Sequence, residues 1–137
     1  MKALAILAAA VAAISPAQAQ FSVQWEHDYP AALARAKAEH KPILLDLWAE
    51  WCGPCQHLKN NVFPTPEAKV ALASYIPLSV MVQYKNGTSI PEGEKLAQQF
   101  NLEAYPTLVV LDSEGKELRR NVGAFKTGSD FARWLKP

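Results

Sequence analysis

The sequence predicts an α/β domain, a central mixed sheet of about five strands flanked by helices. Three observations carry that expectation. Strand-like and helix-like stretches alternate from residue 21 to residue 100, as in units with crossover helices and parallel pairing. The run Ile43 to Trp48 is apolar on both faces except at Asp46, the pattern of a central strand covered from both sides. Near the end, Asp112-Ser113-Glu114-Gly115 separates two more strand-like runs, so a hairpin adds an antiparallel edge. Half of the 137 residues are hydrophobic, enough for one compact core.

The first nineteen residues differ from the rest. Lys2 is their only charged side chain, Ala3 to Ile14 is unbroken and apolar, and Ala17-Gln18-Ala19 has the small-x-small form of a cleavage site. That layout is a signal peptide over residues 1–19. Its apolar run falls short of the roughly 20 residues that span a bilayer. The domain then occupies residues 20–137. Without Lys2 the basic count falls from 14 to 13, matching the 13 acidic residues. A neutral surface gives no reason to expect nucleic acid or anionic lipid as a partner, and a monomer recognised by contact is expected.

Within the domain, Phe21 to Trp25 alternates apolar and polar residues and reads as a first strand. Pro30 opens a helix that is dense in alanine to Ala38, with Leu33 and Ala36 on its apolar side, and Pro42 ends it. The both-faced strand Ile43–Trp48 follows. Gln56 to Val62 reads as a helix interrupted by Pro64. Thr65-Pro66-Glu67 restarts one, with a capping hydroxyl, a proline at the first position and an acid in the first turn. Ile76–Gln83 is a strand, residues 85–89 have turn composition, and Pro91–Phe100 is a helix. Thr107–Leu111 and Lys116–Val122 form the hairpin, and Thr127 to Asp130 caps a last helix with Phe131, Trp134 and Leu135 on its buried stripe.

Both cysteines of the chain, Cys52 and Cys55, stand with Gly53 and Pro54 between them at the end of the central apolar run. A bridge there closes so short a loop that chain entropy gives it only about 2 kcal/mol. Export would put it where disulfides persist. A staple joining distant segments would be the structural use, so the pair points to thiol–disulfide chemistry. A cysteine at the N-terminal tip of a helix gains unpaired N–H groups and the positive end of the macrodipole, both favouring thiolate. Asp46, an isolated carboxyl in an apolar strand, should keep its proton to unusually high pH and could take one from a thiol nearby. His57, two residues after Cys55, leaves open a copper or zinc site with the two sulfurs. Tyr105-Pro106 is a candidate cis bond. His27 and His40 suggest nothing specific.

Trp51-Cys52-Gly53-Pro54-Cys55, Asp46 six positions before Cys52, Tyr105-Pro106-Thr107 and Val122-Gly123-Ala124 together resemble the thioredoxin superfamily. Lys41 to Leu47, Val62-Phe63 and Gly123-Ala124-Phe125 are similar to the C-terminal periplasmic domain of the bacterial disulfide interchange reductases, the DsbD family. The likeness covers nearly all of residues 20–137. It departs in two places: Ile76 to Tyr84 contains no lysine, where thioredoxins carry one near the buried acid, and Tyr105 stands where they usually have a small or β-branched residue.

The resemblance implies a thioredoxin fold and an exported, periplasmic protein-disulfide reductase. Cys52 would attack a client disulfide and Cys55 would resolve the mixed disulfide, with Asp46 accepting the Cys55 proton. Pro106 would pack beside Cys52, and Trp51, Gly53, Pro54, Tyr105 and Gly123 would border the client groove. No cofactor motif is visible beyond the cysteine pair, so a membrane thiol carrier would have to re-reduce it. Two alternatives stay open: a disulfide oxidase or isomerase of the same fold, and a copper- or zinc-binding or chaperone-like protein without turnover.

Overall fold

The computed structural model describes residues 22–137; the expected leader over residues 1–19 lies outside them. Helix α1 (Tyr29–Glu39) is followed by β1 (Ile43–Ala49), α2 (Gly53–His57), α3 (Pro66–Leu72), β2 (Ile76–Gln83), α4 (Pro91–Gln99), β3 (Thr107–Leu111), β4 (Glu117–Val122) and α5 (Gly128–Leu135). The strands make one mixed sheet in the order β2-β1-β3-β4. This is the thioredoxin fold with four strands rather than about five. Residues 22–25 do not form a strand; only Glu26 bridges to Leu78 at the edge of β2. Trp25 instead packs its ring on Phe63, centroids 5.0 Å apart, so the alternation there serves side-chain packing.

The period of two along β1 decides what lies on each side. Ile43, Leu45 and Leu47 join Ala32 and Ala36 of α1 and Leu96 and Ala97 of α4 in one core. Leu44 joins Leu58, Ala68, Leu72, Phe131 and Leu135 in the other. Asp46 shares the parity of Leu44, so its carboxyl belongs to the side that α2 and α3 cover.

Side chains cap α1, α3 and α5, and two of these caps, at Thr65 and Thr127, were legible in the sequence. Asp28 accepts from the Ala31 N–H at 2.9 Å, Thr65 from Ala68 at 3.3 Å and Thr127 from Asp130 at 3.1 Å, each satisfying an otherwise orphaned donor. Between α2 and α3, Leu58–Val62 winds as a π-helical turn closed by the Phe63 N–H on the Leu58 carbonyl, 2.8 Å. The extra residue in the turn buries Leu58, Val62 and Phe63 together.

β1 runs parallel to β2, yet β3 lies antiparallel to β1, with Thr107 opposite Leu47. The expected run of parallel pairings therefore ends at β2. The chain enters β3 at the end of the sheet where β1 finishes, which delivers Tyr105 and Pro106 to the segment carrying the cysteines.

Candidate active site

Cys52 caps α2. Its Sγ accepts the Cys55 N–H at 3.2 Å, and its carbonyl accepts from Gln56 at 3.2 Å. The helix starts at Gly53 because Pro54 has its φ already set for a first turn and has no donor to lose there. This brings the cysteine Cα atoms to 5.2 Å, and the two sulfurs are joined in a disulfide. Both residues are buried, 3% and 4% exposed, against Ala49, with Trp48 and Tyr105 packed alongside.

The Tyr105–Pro106 peptide is cis. Tyr105 stands edge-on to Trp51, centroids 5.6 Å apart at 87°. Trp51 is half exposed, and its indole N–H donates to Gln83 Oε1 at 2.8 Å. Gln83 ends β2, and its carbonyl accepts the Glu50 N–H at 3.0 Å, so strand and loop are tied by backbone and side chain together. The Pro106 carbonyl accepts the Gly123 N–H at 2.8 Å. Gly123 has φ +96°, with open space where a Cβ would stand. Gly53 and Pro54 are exposed, with nothing within 4 Å of a Cβ built on Gly53.

Asp46 lies beneath this surface. It is 6% exposed, Oδ1 has no hydrogen-bond partner, and burial pushes the carboxyl up to about 7 from an ordinary value near 3.8. In register beside it on β2 is Ser79, whose Oγ accepts the Trp48 indole N–H at 2.9 Å. Asp46 and Cys55 both line a cavity of about 380 Å³. The strand lysine of thioredoxins has no counterpart on β2; the cations on this cavity's wall, Lys59 and Lys69, come from the π turn and α3. Trp48, which reads as a core residue in the sequence, is half-buried and forms part of that wall.

His57 is engaged elsewhere. Its Nε2 lies 3.0 Å from the Lys126 carbonyl, so that nitrogen carries the proton, and Nδ1 is left to accept from Asn61 Nδ2 at 3.2 Å. Among the described residues no three His, Cys, Asp or Glu side chains converge on a point that could hold a metal ion. The site thus assembles Trp51 and Tyr105 at the rim, Cys52 and Cys55 recessed beside them, Asp46 below and Pro106 bonded to Gly123. Gln83, absent from the sequence expectations, has as its only signal a position at the end of β2.

A family model described as a thioredoxin-like domain matches residues 29–137. The thiol:disulfide interchange protein DsbD of Cronobacter sakazakii is 31% identical over 109 residues, 79% of this chain and 18% of that protein. The Yersinia pestis protein of the same name is 30% identical over 102 residues, 74% of this chain and 16% of its own length. The chain therefore spans less than a fifth of these curated relatives. Among solved structures, the oxidised DsbD C-terminal domain of Neisseria meningitidis superposes with a TM-score of 0.64 at 26% identity, covering 81% of this chain and 96% of that one. A thioredoxin from Thermus thermophilus gives 0.67 at 26% identity, with 83% and 85% covered.

Proposed function

We propose a function from one premise: the chain belongs to the thioredoxin-like domain family. It is a thiol–disulfide oxidoreductase of that family, whose redox centre is the Cys52–Cys55 pair and needs no external cofactor. Within that class our reading is an exported protein-disulfide reductase, monomeric, acting in the periplasm. The leader pattern of residues 1–19 supports export.

In this reading the Cys52 thiolate attacks one sulfur of a client disulfide. A Cys52–client bond forms, the client's own S–S bond breaks, and its second sulfur leaves as a thiolate that takes a proton. Cys55 gives its proton to Asp46 and attacks Cys52 Sγ. The mixed disulfide breaks, the client sulfur leaves as a thiolate that takes a proton from solvent, and the client departs as a dithiol while the cysteine pair holds the disulfide seen in the structure. Two electrons have moved to the client, and a membrane thiol carrier returns them. Trp51, Gly53, Pro54, Tyr105 and Gly123 border the client, and Pro106 supports Cys52.

The observation that carries the reading is the Cys55 N–H on Cys52 Sγ, 3.2 Å, at the start of a helix. A lowered Cys52 pKa near 7 would raise its ionised fraction at neutral pH from roughly 3% to roughly 50%. The weaker nucleophilicity of that thiolate removes about fivefold of the gain. Ionisation alone is then worth a few-fold, and the larger share comes from Cys55 being held close, an effectively intramolecular second step.

Two experiments test it. Cys55→Ser should accumulate mixed disulfides through Cys52 with exported client proteins, and their absence would favour a binding protein without turnover. Equilibration against a glutathione series should put the potential near that of thioredoxin, about −270 mV. A value above about −200 mV would assign the oxidase or isomerase direction instead.

A further inference from the structure

The cavity on the helix-covered side of β1 holds more than the redox chemistry uses. Its volume, about 380 Å³, lies in the range of small-molecule sites. Trp25, Trp48 and Phe63 wall it with aromatic surface. Asp46, more than nine-tenths buried, lines it as well; its Oδ1 is sealed from solvent, and its carboxyl makes no hydrogen bond among the described residues. Buried polar groups are nearly always satisfied, so a carboxyl without a partner on a cavity wall marks a place where one belongs. Lys59 and Lys69 line the same space, and among the described residues neither has a carboxylate within ion-pair distance. The Lys59 ammonium lies over the Trp48 ring, 5.6 Å from its centroid, which holds that cation on the cavity wall.

These features fit one kind of occupant. Aromatic walls favour a flat apolar body. Cations without carboxylate partners favour one negative charge. A buried carboxyl that keeps its proton can donate to an oxygen. We infer that this cavity is a binding site for a small aromatic monoanion, its carboxylate at Lys59 and Lys69 and an oxygen at its far end meeting Asp46. The site is distinct from the client groove bordered by Trp51 and Tyr105, and its test reads binding rather than turnover.

Titration calorimetry on the oxidised full chain with three naphthalenes isolates each contact. The probes are 6-hydroxy-2-naphthoate, 2-naphthoate and 2-naphthol. The first should bind saturably at one site. Removing its hydroxyl should weaken binding several-fold, and removing its carboxylate about tenfold or more, the loss of a charge-assisted contact. Val23→Trp, on the irregular segment at the cavity wall, should abolish binding, and Lys59→Glu with Lys69→Glu should weaken it about tenfold with the circular dichroism unchanged. No saturable heat up to about 1 mM, a Kd at the weak limit of specific binding, would overturn the inference. So would equal affinity for all three probes, or undiminished binding by Val23→Trp. The three-probe comparison needs no variant and stands if one fails to fold.

Discussion

Asp46 and Cys55 share one cavity wall, yet the carboxyl makes no hydrogen bond through Oδ1 and feels no cation strong enough to offset its burial. The folded chain therefore holds a proton there between about pH 4 and about pH 7 that the unfolded chain has lost. Folding stability falls as pH rises through that window, because the native state binds the extra proton. Asp46→Asn removes the dependence. It should match the parent below pH 4 and exceed its stability above pH 7, by on the order of 4 kcal/mol in denaturant melts. Disulfide turnover should fall about 10²-fold at the same time, the usual scale of a lost proton acceptor. A variant that gains no stability at high pH would show that burial does not hold the proton on Asp46, and one that keeps full turnover would remove Asp46 from proton transfer.

Cys52 and Cys55 should separate in their alkylation profiles. In the reduced protein, Cys52 at the helix N-terminus should react with iodoacetamide at lower pH than a free thiol does. Cys55, which lacks a donor of its own at a helix start, should titrate higher. Coincident curves would show that the Cys55 N–H contributes nothing.

Gln83 positions Trp51 without touching sulfur. Gln83→Leu should free the indole, seen as stronger acrylamide quenching of Trp51 fluorescence against a Trp51→Phe blank. Loss of one exposed hydrogen bond should change global stability by about 1 kcal/mol or less. The kinetic mark should be a several-fold higher KM for protein clients with kcat nearly unchanged, since in the proposed function Trp51 borders the client and does not react.

Gly93 sets two effects against each other. In a helix interior alanine is worth about 1 kcal/mol over glycine. Here a Cβ would fall inside the Met81 carbonyl and against the Val82 backbone. Backbone cannot swing aside as a side chain can, so overpacking of about 1–3 kcal/mol should win. Gly93→Ala is expected to lower the urea midpoint with the m-value unchanged. A stabilised variant would mean that α4 shifts freely on β2.

The parts of the fold that depend on local pattern were legible. The both-faced apolar run of β1, the hairpin at Asp112–Gly115 and the caps at Thr65 and Thr127 all act within a few residues of themselves. What escaped depended on distant partners. Residues 22–25 alternate like a strand, but Trp25 spends its ring on Phe63, and the edge of β2 takes only Glu26. The direction of β3 is decided by where α4 and the loop after it return the chain, which no strand-length window contains. Arg119 is another such case: its guanidinium donates to the Leu135 carbonyl at 2.8 Å and lies over the Trp134 ring, tying β4 to the end of α5. In the site, Cys52, Cys55 and Asp46 stood out because their residue types are costly or reactive where they sit. Gln83, Lys59 and Lys69 are ordinary polar residues until the fold gives them neighbours.

The recessed sulfurs decide what can reach them. With Cys52 and Cys55 each showing only a few per cent of their surface, and with the Trp51 and Tyr105 rings standing at the rim, a blunt, rigid partner is held off before its thiol arrives. The two rings pack edge-on against each other, so a reactive atom must come in past their rim, as one on a thin, protruding strand or loop can. Admission thus turns on the silhouette of the visitor as well as on its redox poise, and a folded body with its cysteines set flat into its own surface is turned away at the door.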